Sequence, residues 1–171
     1  MSYTHTTAGG ERMGSRGYIT FVINGASKNA YNHDGSGPAH LGLRVLDWLR
    51  HVDPEQLTAS IENLEAVTED QPPTPDQLRR LQEWSGNERT GQPEDQWYRL
   101  LRGTQGDPAA ILAAGYVISD ADYSLDADWV YAVDADTRTL SAGNPVPGVQ
   151  WPWDNLPGDT AFLAACARLI A

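Results

Sequence analysis

One cysteine, Cys166, is all the thiol chemistry that this 171-residue sequence contains. No intrachain disulfide can form and no cysteine-based metal cluster has a ligand set, which points to a reducing compartment. Lysine is as scarce, since Lys28 is the only one. Long apolar runs are missing too: Ala109–Ala114 and Ala161–Cys166 fall far short of the ~20 residues that a membrane span needs. The N-terminus lacks the basic, then apolar profile of a signal peptide. A cytoplasmic protein with no membrane association is the expectation.

Positive charge is in short supply. Twelve basic residues against twenty-three carboxylates give a formal net charge of −11, which repels phosphate backbones and anionic lipid over a Debye length of ~8 Å. Nucleic-acid binding through a basic face is excluded on that ground. From Gly103 to Asp136 the sequence holds Asp107, Asp120, Asp122, Asp126, Asp128, Asp134 and Asp136, with no lysine or arginine. That stretch predicts an acidic face suited to a basic protein partner.

What is present suffices for one domain, because a chain of this length buries roughly two-thirds of its unfolded surface. Residues 1–12 have no apolar periodicity and read as a flexible tail. A Gly-Gly-Glu stretch just before Met13 is also what a purine-rich translation signal would encode, so Met13 is a second candidate start. Residues 13–171 read as a single α+β domain: an antiparallel sheet from an N-terminal and a C-terminal hairpin, packed by about six helices.

The first hairpin pairs Tyr18–Ile23 with Asn29–His33 across the Asn24-Gly25 turn. Leu41, Val45, Leu46, Trp48, Leu49 and Val52 then form one stripe of an amphipathic helix. Asp53-Pro54-Glu55-Gln56 and Thr74-Pro75-Asp76-Gln77 each place a capping residue before a helix, proline first and glutamine third. Asp107-Pro108 opens another, so helices are expected near 54–66, 75–85, 94–102 and 108–115. Trp129–Val133 and Thr139–Ala142 make the second hairpin. Asn144–Pro157, with four prolines, reads as a long ordered loop, and Phe162, Ala165, Cys166, Leu169 and Ile170 as the buried stripe of a last helix.

Two stretches could carry chemistry. Tyr31-Asn32-His33-Asp34-Gly35-Ser36-Gly37-Pro38 gathers a phenol, an amide, an imidazole, a carboxylate and a hydroxyl at a strand-to-loop corner, where loops expose what strands position. Strand alternation puts Tyr31 and His33 on one face and Asn32 on the other. His33 would be the acid or base, Ser36 a nucleophile or substrate-binding hydroxyl, Tyr31 and Asn32 orienting donors, and Asp34 a neighbouring carboxylate. The spacing is not that of a Gly-x-Ser-x-Gly elbow, and a turn with satisfied polar side chains is the competing account. Asp120-Ala121-Asp122-Tyr123-Ser124-Leu125-Asp126 opens like a calcium loop but has Leu125 where a glycine and Tyr131 where a glutamate is required. No metal and no cofactor are expected.

Met13-Gly14-Ser15-Arg16-Gly17, Tyr31-Asn32-His33 with Ser36, Pro38 and Leu41-Gly42, and Trp129–Asp136 resemble a group of small proteins from actinobacteria, their phages and some fungi. Members of that group start Met-Gly-Thr-Arg-Gly and read Tyr-Asn-His-x-Asp-Ser-Tyr-Pro-x-x-Leu-Gly. The resemblance spans Met13 to about Gly143 and implies Met13 as the start and the Tyr31–Pro38 corner as the place of interest; it implies no reaction. Gly35 and Gly37 depart from its Asp and Tyr. Two function classes follow from the sequence. One is an acidic interaction module that engages a basic partner through Asp120, Asp122, Asp126, Trp151 and Trp153. The other is a small hydrolase- or transferase-like enzyme at the corner.

Overall fold

The computed structural model describes residues 15–86, 96–119 and 127–171. Its main sheet has five strands in the order β2-β1-β5-β6-β7. β1 (Gly17–Ile23) and β2 (Ala26–Asn32) form the expected hairpin. Asn24 and Gly25 both have positive φ, 52° and 73°, which is the backbone an Asn-Gly hairpin turn demands. β1 is buried on both faces, as an apolar run interrupted only by Thr20 requires of a central strand. On its free side it pairs with β5 (Trp129–Asp134) in parallel, Gly17 opposite Trp129. The two hairpins therefore join through one parallel contact in an otherwise antiparallel sheet, with β6 (Thr139–Gly143) pairing back on β5.

The segment expected to be a long loop contains a strand. β7 (Pro147–Pro152) pairs antiparallel with β6 at the sheet edge. Its prolines stand at its two ends, and an edge strand needs only one row of its amides, so the missing N–H groups cost little there. The Asn144–Pro145 peptide is cis.

One face of the sheet carries the larger core. Ile19, Phe21, Trp129, Tyr131, Val133 and Leu140 meet α1 (Leu43–His51), α2 (Pro54–Asn63) and α6 (Asp159–Ala167). A wide helical turn, Pro38–Gly42, leads into α1. Phe162 and Cys166 of α6 are fully buried, but Ile170 is exposed because the helix has already ended. Burial pushes the Cys166 thiol up to a pKa of about 11.

All three capping signals are used: Asp53, Thr74 and Asp107 accept from the amides of Gln56, Gln77 and Ala110. Only Thr74 and Gln77 complete the reciprocal box. α2 stops at Asn63 rather than 66, because Glu65–Val67 (β3) pairs in parallel with Tyr116–Ile118 (β4). A smaller core, with Val67, Leu81, Trp97, Leu100, Leu101 and Tyr116, lies beneath α3 (Pro75–Arg80), α4 (Trp97–Leu100) and this pair. α5 (Pro108–Ala114) sends Ile111 into the larger core and Ala114 into the smaller one. No helix among the described residues is long and apolar enough to cross a membrane.

Candidate functional site

The Tyr31–Pro38 corner divides into an inside and an outside. Asn32 ends β2 pointing inward and is 7 % exposed; Ser36 is wholly buried. Asn32 Nδ2 donates to the Asp34 carbonyl at 2.7 Å and to Ser36 Oγ at 2.8 Å. The Ser36 amide is held by the Ser15 hydroxyl at 3.0 Å, and its carbonyl accepts from the Tyr131 hydroxyl at 2.8 Å. Gly17 closes the knot. A Cβ there would stand 2.7 Å from that of Ser36 and 2.5 Å from the Trp129 carbonyl oxygen, closer than any side chain tolerates.

Outside, Tyr31 and His33 share the other strand face, with the Tyr31 hydroxyl 3.2 Å from His33 Nδ1. His33 is exposed. Asp34 accepts from the adjacent Gly35 amide, which fixes the turn. The structure thus brings His33 together with Tyr31, and Ser36 with Asn32, on opposite sides of the strand. A serine–histidine pair is not assembled.

The acidic stretch is put to local use where it is described. Asp107 caps α5, Asp128 accepts from the Arg16 amide, and Asp134 accepts from the amides of Asp136 and Thr137. Asp136 reaches across to the first hairpin, accepting from Asn24 and Gly25 at 2.8 Å each. These carboxylates hold turns and caps together. Asp120, Asp122 and Asp126 lie outside the described residues. Trp151 and Trp153 are half-buried and pack against the larger core, with the Trp151 ring 5.2 Å from that of Phe162.

A concave site lies beside the corner, where the two cores meet. Ala30 and Tyr31 of β2, Tyr98 and Leu101 at α4, Thr104 and Gln105 in the following turn, Ile111 of α5 and Tyr116–Ile118 of β4 line a cleft that is partly open to solvent. Of the sequence-derived candidates among the described residues, Tyr31 alone lines it. Arg102 stands behind its wall: Nη1 donates to the Tyr98 hydroxyl at 2.8 Å and to Gln105 Oε1 at 3.2 Å. Gln105 Oε1 also accepts from the His33 amide at 3.2 Å, tying the cleft to the corner. Sequence reasoning missed Tyr98, Arg102, Gln105 and Tyr116. The helical i, i+4 spacing of Tyr98 and Arg102 was the one local signal for them.

Neither a protein-family model, a curated protein nor a solved structure matches the chain.

Proposed function

We propose that this protein is a binding module that takes the apolar part of a small molecule into the cleft between β2, β4 and α5. The observation that carries this reading is the lining: Ala30, Leu101, Ile111, Val117 and Ile118 form half of it, and three tyrosines, Thr104 and Gln105 set polar groups among them. Small-molecule sites are lined in that way, and they favour seams between packed units. The buried Ser36 hydroxyl argues for binding over hydrolysis or group transfer at the corner, because a nucleophile has to meet its substrate.

A second reading, an acidic module for a basic protein, is favoured by the net charge of −11. The inward packing of Trp151 and Trp153 counts against it, since interface anchors stand proud of the surface before binding. A pull-down that captures a partner lost as salt rises would favour this second reading.

Backbone-amide NMR of the full chain, titrated with octan-1-ol as a neutral apolar probe, tests the cleft. Shifts confined to Ala30, Tyr31, Leu101 and Val117 and abolished by Ile118→Trp, which puts a larger ring into the lining, are the expected outcome. Shifts scattered over the surface, or unaffected by that substitution, would refute it.

A further inference from the structure

Three of the cleft's polar groups, Tyr98, Tyr116 and Gln105, are engaged in the same sense. Tyr98 Oη accepts from Arg102, and Tyr116 Oη accepts from Gln77 Nε2 at 3.2 Å. Neither phenol proton has an acceptor among the described residues, so each remains a donor to spare. Gln105 completes the set. Both groups that bond its Oε1, the Arg102 guanidinium and the His33 amide, are donors, so its amide cannot be turned round and Nε2 is left to donate elsewhere. The same logic fixes Gln77, whose Oε1 accepts from the Thr74 amide at 2.9 Å.

Positive charge stands behind these donors. The Arg102 guanidinium lies 5.6 Å from the Tyr98 ring centre and that of Arg80 lies 6.0 Å from the Tyr116 ring centre. Among the described residues no carboxylate pairs with either; the ion pairs there are Arg50–Asp159, Arg79–Asp76, Arg138–Glu55 and His51–Asp47. In a chain with about two carboxylates for every cation, two arginines beside the cleft's tyrosines, with no carboxylate paired to them among the described residues, are a local reversal of charge. An arginine that donates into a phenol oxygen also makes the phenol proton a stronger donor.

Resting on the cleft reading above, we propose that its ligand is a small amphiphilic carboxylate, with its apolar body against Ala30, Leu101, Ile111 and Val117. The carboxylate oxygens accept from the hydroxyls of Tyr98 and Tyr116 and the amide of Gln105, with the Arg102 charge behind them. A ligand whose head is itself a donor or a cation would leave these three groups unsatisfied, and an unmatched buried polar group costs more than a matched one gains.

Calorimetric titration of the full chain with octanoate, octan-1-ol and octyltrimethylammonium varies the head on a constant body. Octanoate should bind about tenfold or more tightly than the alcohol, as one charge-assisted hydrogen bond implies, and the ammonium most weakly. Tyr98→Phe and Arg102→Gln should each lower octanoate's affinity more than the alcohol's and so narrow the gap between them, and the alcohol binding that remains shows that the cleft is intact. If Arg102→Gln does not fold, Tyr98→Phe decides alone. Octan-1-ol binding as tightly as octanoate in a cleft that Ile118→Trp closes would overturn the carboxylate and leave the cleft standing. Absence of binding by all three, or binding that survives Ile118→Trp, would overturn both.

Discussion

Ser36→Ala and His33→Ala, made side by side, separate an architectural corner from a reactive one before any ligand is known. Removing the Ser36 hydroxyl takes away a 2.8 Å acceptor from Asn32 Nδ2 inside a fully buried knot. The amide keeps its bond to the Asp34 carbonyl, so the cost is that of one weakened buried network, about 1–3 kcal/mol. At roughly 2–4 °C per kcal/mol for a domain of this size, the melting temperature should fall by about 2–12 °C. His33 is exposed and among the described residues its ring bonds only the Tyr31 hydroxyl, at 3.2 Å. Its replacement should stay within about 0.5 kcal/mol of the parent. Thermal denaturation by circular dichroism, supported by urea melts with unchanged slope, reads both. A Ser36→Ala protein as stable as the parent would refute the architectural account, and a His33→Ala protein that loses several degrees would show that the outer face is structural as well.

Gly17→Ala should be among the most damaging single changes, costing at least about 3 kcal/mol, because the added carbon meets the Trp129 carbonyl across the parallel joint and neither backbone can retreat; a soluble variant with a native melting temperature would contradict this. Cys166 should resist a thiol reagent in the native protein at pH 8 and react only on unfolding. With its pKa raised from 9.0 to about 11, the folded state holds a proton that the unfolded chain releases first. Its contribution is fully present below pH 9 and is lost between pH 9 and 11, by about 2–3 kcal/mol, a loss that Cys166→Ala should remove from the pH profile of urea stability.

Local signals were legible where the physics is local. Asn24-Gly25 sets two positive φ angles, and Asp53, Thr74 and Asp107 announce helix starts within four residues of chain; each did so in the fold. β7 was hidden because its prolines argue against a strand everywhere except at an edge, and edge position is decided by the whole sheet. The corner was found, but not which of its groups would be swallowed: Ser36 is buried by Ser15, Gly17 and Tyr131, the last of them 95 residues away along the chain. The cleft was unreadable for the same reason. Its wall is shared among β2, α4, α5 and β4, and the hydrogen bonds that make Tyr98, Gln105 and Tyr116 spare donors exist only once Arg102, His33 and Gln77 are placed around them.

The parallel joint between β1 and β5 also sets the order in which the molecule is completed. β1 is flanked by β2, whose partners lie from three residues along the chain (Ile23 with Ala26) to fifteen (Gly17 with Asn32), and by a strand whose partner for Gly17 is Trp129. During synthesis the first hairpin emerges early with an apolar strand open along one edge, and the strand that covers that edge arrives more than a hundred residues later. Closing so long a loop makes late, slow assembly the rule for such topologies. The hairpin must wait as an uncovered template for strand addition. Until β5 arrives, any other extended apolar segment can compete for the seat beside Gly17, and the interval is set by translation rather than by the stability of the finished sheet.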